Sequence, residues 1–205
     1  MFGRAMGAAA LAALLAAAPA ARSDTPGIGR LNYAGYRVAQ HCTAFAVVGG
    51  HLVTARHCLD VPDEAKLHYL DAYDRGGWAQ HIVLSPASFA PADAPDVALA
   101  CNVGPPEAPG LRVAEDAPAA DDTLEVWGYG APRAEVLQRI PCALKGVNGN
   151  GTLVLSCATR GGSSGGPVVR RRGDTLEAIG VAWASGPDMT LATPLSPRQV
   201  DDVCQ

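Results

Sequence analysis

The sequence predicts an all-β protein, either a pair of small antiparallel barrels or a sandwich, and three observations carry that expectation. Apolar stretches are short and recur between turn-forming residues along a chain with 23 glycines and 16 prolines, a spacing that leaves room for strands and little for long helices. Apolar residues seldom recur at the interval that would line one face of a helix. Two turn sequences, Gly49-Gly50 and Asn148-Gly149-Asn150-Gly151, supply the left-handed backbone angles that tight hairpins need.

Residues 1–20 differ in character from the remainder of the chain. Arg4 provides a charge, Ala5 to Ala17 form an apolar run made mostly of Ala and Leu, and Ala18-Pro19-Ala20 is a small-residue cleavage site, the pattern of a secretory signal peptide. Residues 21–30 read as a short polar leader, 31–117 as an N-terminal barrel and 118–205 as a C-terminal barrel. Loss of Arg4 changes the net charge from −4 to −5, with 15 basic against 20 acidic side chains. That mild acidity argues against nucleic acid as a partner. No later stretch approaches the ~18 apolar residues of a spanning helix, so the mature chain is expected to be secreted or periplasmic, free of the membrane and monomeric.

In the first half, Cys42 to Val48 and His51 to Ala55 read as a hairpin that delivers His57 just past a strand end. Further strands are expected at Lys66 to Leu70 and Trp78 to Leu84. Asp96 then opens the apolar run Val97-Ala98-Leu99-Ala100, and a carboxylate at the edge of a core is costly unless paired. Asn102 to Asp122, rich in Pro, Ala and acids, reads as the linker between lobes. Strands are expected next at Thr123 to Tyr129, Val136 to Leu144, Thr152 to Cys157, Pro167 to Arg171, Leu176 to Trp183 and Thr190 to Thr193. Ser196-Pro197 places an N-cap residue before a proline in the first helical position, which predicts a short closing helix through Val203.

The six cysteines all lie beyond residue 20, and an even number in an exported chain favours disulfides. Cys42 and Cys58 lie at the open ends of one hairpin. The Asn148 to Gly151 turn brings Cys142 beside Cys157, which leaves Cys101 for Cys204. The run Arg170-Arg171-Arg172-Gly173-Asp174 is read as a strand end and a turn, not as an adhesion or polyanion site.

Gly161-Gly162-Ser163-Ser164-Gly165-Gly166-Pro167 is a glycine-rich turn carrying two hydroxyls. A serine hydroxyl is a poor nucleophile, so using it requires a base for its proton and donors for the oxyanion that forms. The glycines let the N–H groups of Gly162 and Ser164 point into one small space. His57 and Asp96 supply an imidazole and a carboxylate earlier in the chain. The order His, Asp, Ser differs from that of the two other common serine-hydrolase arrangements.

With Leu52-Val53-Thr54-Ala55-Arg56-His57-Cys58, Asp96-Val97-Ala98-Leu99 and Gly162 to Pro167 in that order, the chain resembles the trypsin/chymotrypsin serine proteases, of the short exported bacterial type. Trp127-Gly128-Tyr129-Gly130 and Ile179 to Gly186 extend the resemblance over most of the mature chain. It implies two β-barrels, Ser164 as nucleophile, His57 as general base and then acid, and Asp96 as the partner that fixes the His57 tautomer. The Gly162 and Ser164 amides become the oxyanion hole, and Ala158, Thr159, Ala182, Trp183, Ala184 and Thr190 the substrate-binding surface. The implied reaction is hydrolysis of polypeptide through an acyl-enzyme, with no metal or other cofactor. His41, His51, His68 and His81 are read as surface or strand-edge residues.

Three departures bear on function. Arg56 stands where the family has a small residue, so its side chain must leave the core or find an acid. Ser163 replaces an aspartate that, in members activated by cleavage, pairs with the new N-terminal amine. With no carboxylate expected at the base of the primary pocket and side chains on Ala184 and Thr190, a small or medium apolar residue is expected before the scissile bond. An inactive protease-like binding domain and an exported esterase are the alternative functions.

Overall fold

The computed structural model describes residues 27–33, 41–105 and 109–205; residues 1–20, read as a signal peptide, lie outside them, as do 21–26 of the leader. The first sheet comprises β1 (Ile28–Tyr33), β2 (His41–Val47), β3 (His51–Ala55), β4 (Leu67–Asp71), β5 (Gln80–Leu84), β6 (Ala90–Pro91) and β7 (Val97–Ala100). Its spatial order is β5-β4-β1-β2-β3-β7-β6. The second comprises β8 (Arg112–Val113), β9 (Leu124–Gly128), β10 (Gln138–Cys142), β11 (Leu144–Val147), β12 (Leu153–Leu155), β13 (Pro167–Arg172), β14 (Thr175–Ser185) and β15 (Thr190–Pro194). Its order is β10-β9-β13-β14-β15-β12-β11, with β8 added parallel to β14. All other pairings are antiparallel, each sheet curls into a half-barrel, and α1 (Pro197–Cys204) comes after the second.

Most elements begin within a residue or two of where turn residues place them. β1 is the main addition. Its glycine disguises it: a Cβ at Gly29 would lie 2.5 Å from the Tyr69 ring, so the residue that reads as a turn signal is what lets β1 and β4 lie close. Two of its polar residues pair with each other, the buried Arg30 Nε donating to Asn32 Oδ1 at 3.1 Å. Two-residue strands β6 and β8 are too short to show a period. β8 lies inside the expected linker and pairs with β14, while Leu111 just before it bridges to Val47 of β2; the chain crosses between the sheets here. The strand expected over 136–144 divides into β10 and β11 at Ala143, whose N–H donates to the Ser156 hydroxyl instead of to a ladder.

Each half-barrel closes over alternate apolar side chains. Phe45, Leu52, Tyr69 and Leu99 are fully buried in the first, and Leu124, Val126, Leu155 and Val168 in the second. Trp127 of β9 and Tyr129 just past its end pack into the first cluster, so the two lobes share one apolar seam. Burial pushes the Tyr129 phenol well above its usual range, and its hydroxyl donates to Ile28 O at 3.3 Å.

Arg170 on β13 is 2% exposed. Its guanidinium meets Asp116 at 2.8 Å, Asp122 at 3.1 Å and Glu177 at 2.8 Å, which offsets the desolvation of a buried charge. Hydrogen bonds from Arg172 and Arg170 hold the Asp116 carboxyl well below the usual carboxylate range. The basic run is thus a brace between the crossing segment and the second sheet, and Gly173 completes the β13–β14 turn at φ +60°.

Disulfides join Cys42 to Cys58, Cys142 to Cys157 and Cys101 to Cys204, with Cα separations of 6.1, 5.0 and 5.3 Å. The last closes 103 residues of sequence and ties α1 to the end of β7. Ser196 caps α1, with Gln199 returning a bond to the Ser196 N–H at 2.7 Å. No helix among the described residues is long and apolar enough to cross a membrane.

Candidate active site

β3 runs directly into a 3₁₀ turn at Arg56–Leu59 that carries His57. The Cys42–Cys58 bridge pins this turn to β2. β7 pairs with β3 so that Val97 faces Ala55, which brings Asp96 beside the same turn. The Asp96 carboxylate accepts twice from one residue: Oδ1 from the His57 backbone N–H at 2.8 Å and Oδ2 from His57 Nδ1 at 2.7 Å. A carboxylate oxygen accepts, so this bond fits the tautomer with the proton on Nδ1 and the lone pair on Nε2. Asp96 is held in the left-handed region at φ +54°, where aspartate is among the few non-glycine residues tolerated. Its carbonyl accepts the Arg56 N–H at 3.1 Å, and the preceding Pro95 carbonyl accepts the Thr193 hydroxyl at 2.5 Å. The side chains of His57 and Asp96 are 41% and 20% exposed, so the pair borders solvent. Arg56 has left the core, being exposed and without an ion pair among the described residues.

The 161–166 turn leads into β13. Ser163 N–H donates to Arg160 O and Gly166 N–H to Ser163 O, each at 2.9 Å, while Gly165 N–H donates to Ala182 O at 2.7 Å. The Ser164 carbonyl accepts Thr43 N–H at 2.8 Å. Among the described residues, only Gly162 and Ser164 of the four residues 162–165 have N–H groups with no acceptor. Gly162 sits at φ +100°, and a Cβ there would lie 2.4 Å from both His41 Nε2 and Tyr129 O. His41, read as a strand-edge residue, thus walls this turn, with Nε2 bonded to Tyr129 O at 2.8 Å. Ser163 is 2% exposed and its hydroxyl has no partner among the described residues.

Ser164 is half-buried and borders two cavities. One, of about 150 Å³, is shared with His41, Cys42, His57 and Cys58. The other, of about 190 Å³, is lined by Thr159, Arg160, Gly161 and the Ala182 to Ser185 segment of β14. Imidazole and carboxylate are therefore joined, and Ser164 lines the same cavity as His57, its hydroxyl making no hydrogen bond among the described residues. Larger cavities of about 280 and 300 Å³ lie elsewhere and contain neither histidine nor serine.

Of the six residues expected to contact substrate, Thr159, Ala182, Trp183 and Ala184 line the second cavity. Ala158 is not among its lining residues. Thr190 lies behind Thr159, fully buried: its hydroxyl donates to Cys157 O at 2.7 Å and accepts Thr159 N–H at 3.2 Å, with the two hydroxyl oxygens 3.1 Å apart. A break in register between Ala182 and Ala184 bulges β14 at Trp183, the kind of irregularity that re-aims a side chain. No carboxylate lines this cavity. The sequence offers no signal for Thr43, whose hydroxyl reaches the Gly162 carbonyl at 2.8 Å, because a strand threonine looks like any other.

Two places among the described residues bring three potential metal-ligand atoms together, Cys42, His57 and Cys58, and His51, Cys101 and Cys204. Each consists of one imidazole and the two sulfurs of a disulfide, which have no thiolate to offer.

Residues 42–181 match the trypsin-like peptidase domain family. The chain belongs to that family. No curated protein sequence matches it. Its fold is similar to that of the thermostable serine protease AL20 from an extremophilic microorganism, with a TM-score of 0.64, 20% identity, and coverage of 88% of this chain and 96% of the other. Protease Anisep of Arthrobacter nicotinovorans gives 0.65 at 18% identity, covering 87% and 93%. The VesB protease of Vibrio cholerae gives 0.66 at 21%, covering 89% of this chain and 64% of the other.

Proposed function

We propose that the protein is an exported serine endopeptidase in which Ser164 attacks the scissile carbonyl and His57 takes its proton. The observation that carries this is the doubly bonded Asp96–His57 pair, which leaves the ring's lone pair on Nε2, whose one hydrogen-bonding neighbour among the described residues is Cys58 Sγ at 3.9 Å, in a residue that lines the same cavity as Ser164. As Nε2 gains the proton, the carboxylate at Nδ1 stabilises the imidazolium. The carbonyl oxygen becomes an oxyanion facing the Gly162 and Ser164 amides, which have no other acceptor among the described residues. Collapse of the tetrahedral species expels the amine with the His57 proton. Water, deprotonated by the same Nε2, then releases the acid from the Ser164 ester.

The residues 1–20 pattern and the three disulfides support export, to the periplasm or beyond it. The unbonded Ser164 hydroxyl favours one competing reading, a protease-like domain that binds polypeptide without cutting it. Hydroxyls in unliganded sites of this kind often align only once substrate is bound. Casein degradation by the wild type and its loss in Ser164→Ala are expected; degradation by neither protein is the result expected of a binder. Hydrolysis of small esters with casein left intact is the result expected of an esterase.

The second cavity is the proposed primary specificity pocket. Its alanines, its volume of about 190 Å³ and Thr159, backed by the buried Thr190, suit a small or medium apolar residue, and no acid among its lining residues is there to hold Lys or Arg. A peptide-library profile is expected to peak at side chains of alanine to valine size; a profile dominated by Arg or Lys contradicts the assignment.

Because Ser163 carries no charge to pair with an amine, activity is proposed to be independent of the first residue of the mature chain. Forms trimmed to different starts within 21–27 are expected to share one kcat within about twofold. Activity confined to a single N-terminus is the contrary outcome.

A further inference from the structure

We propose that Thr43 is a positioning residue that locks the 161–166 turn in the conformation with two free amides, an inference that rests on the peptidase reading. Thr43 is fully buried in β2, in the first sheet, yet most of its polar atoms serve the second. Its hydroxyl donates to Gly162 O at 2.8 Å and accepts Tyr129 N–H at 3.0 Å. Its own N–H donates to Ser164 O at 2.8 Å.

The Gly162 carbonyl belongs to the peptide lying between the two whose N–H groups are unpartnered. Glycine at φ +100° lacks the Cβ that would resist a peptide flip, so some other contact must hold this unit. The turn's own bonds hold this planar unit from one end only, through Ser163 N–H to Arg160 O, and give the Gly162 carbonyl at its other end no donor. The Ser163 hydroxyl adds no bond among the described residues. Among the described residues the Thr43 hydroxyl is the one donor to that carbonyl. The Thr43 clamp therefore grips the turn on both sides of Ser163, through Gly162 O and Ser164 O.

The same residue also sets the turn against the imidazole. The Thr43 carbonyl accepts the hydroxyl of Thr54 at 2.9 Å, three residues before His57 on the strand that carries it. Cys42, its neighbour, is bridged to Cys58. One strand thus holds the hydroxyl-bearing turn by hydrogen bonds and the imidazole-bearing turn by a covalent bond. An oxyanion site built this way is complete in the folded chain without any ionic lock at position 163.

Thr43→Val removes the hydroxyl at nearly constant volume, and Thr43→Ser restores it without the methyl. Both are assayed on a peptide amide for kcat and KM, and for binding of a peptide aldehyde that forms an oxyanion on Ser164 and of the matching product peptide that does not. Thr43→Val is expected to lower kcat about 10²-fold, in the range of an impaired oxyanion donor, with KM changed less than about threefold. Aldehyde affinity falls in parallel with kcat, product affinity does not, and Thr43→Ser stays within about threefold of the wild type. Thr43→Ala is read in the same way if the valine variant does not fold. A folded Thr43→Val enzyme with wild-type kcat, or a Thr43→Ser enzyme as impaired as Thr43→Val, overturns the role of Thr43 alone. A wild type that turns over no substrate and takes up no aldehyde overturns the peptidase reading, and this inference with it.

Discussion

Asp96→Asn is expected to lower kcat about 10⁴-fold while changing KM little, because it corrupts the proposed base without touching the proposed substrate pocket. Asp96 accepts two hydrogen bonds from His57, at the backbone N–H and at Nδ1. An asparagine has one oxygen to accept with and places an amide donor at the other position. If its oxygen serves the backbone, the NH₂ faces Nδ1, which must then become the acceptor. The ring proton moves to Nε2, and the lone pair that would receive the Ser164 proton is gone. The left-handed angle at this residue, φ +54°, suits asparagine as well as aspartate, so the variant should fold and melt like the wild type. A loss of less than tenfold would show that Asp96 is only a structural acceptor.

The second large effect is expected at Gly162. Alanine there meets both a disfavoured backbone angle, φ +100°, and two atoms 2.4 Å from its Cβ, His41 Nε2 and Tyr129 O. Neither obstacle is the tip of a flexible chain: the carbonyl lies in the seam between lobes and His41 is bonded to it. Relief requires the peptide to rotate, which swings the Gly162 N–H away from the oxyanion. A kcat loss of about 10²–10³-fold is expected, with the disulfides intact and acylation slowed more than substrate binding. Gly149→Ala, in the β11–β12 turn, is the control, since its Cβ would meet nothing within 4 Å, and it should retain near-wild-type kcat. Equal losses in the two variants would remove the oxyanion assignment.

The fold and much of the candidate site were legible because their signals are local. The Cys42 to Ala55 hairpin, the Asn148 to Gly151 turn and the Ser196-Pro197 helix start each declare themselves within a few residues, and β2, β3 and α1 lie there. Two of the cysteine pairs follow from those hairpins, and Cys101–Cys204 is the pair they leave. What escaped was non-local. β1 hides behind Gly29, whose missing Cβ matters only because Tyr69 lies across from it. Ala158 and Thr190 were expected on the pocket surface, yet the cavity takes Thr159 and leaves Thr190 behind it, because which face of a short strand meets substrate depends on the twist and bulge of its neighbours. The Thr43 bonds span 119 residues to Gly162 and 86 to Tyr129, a distance at which no pattern along the chain reports a contact. The polar run at Arg170 likewise acquires its meaning from Asp116 and Asp122, acids that by composition alone read as linker.

The central claim is that Ser164 is a nucleophile activated by His57, and covalent labelling tests it most directly. Incubation with a peptidyl phosphonate bearing a small apolar residue, and then mass mapping, is expected to place one adduct on Ser164 in the wild type, none in Ser164→Ala, and a greatly slowed reaction in His57→Ala. Failure of the wild type to react, or an adduct on any residue other than Ser164, would contradict the account.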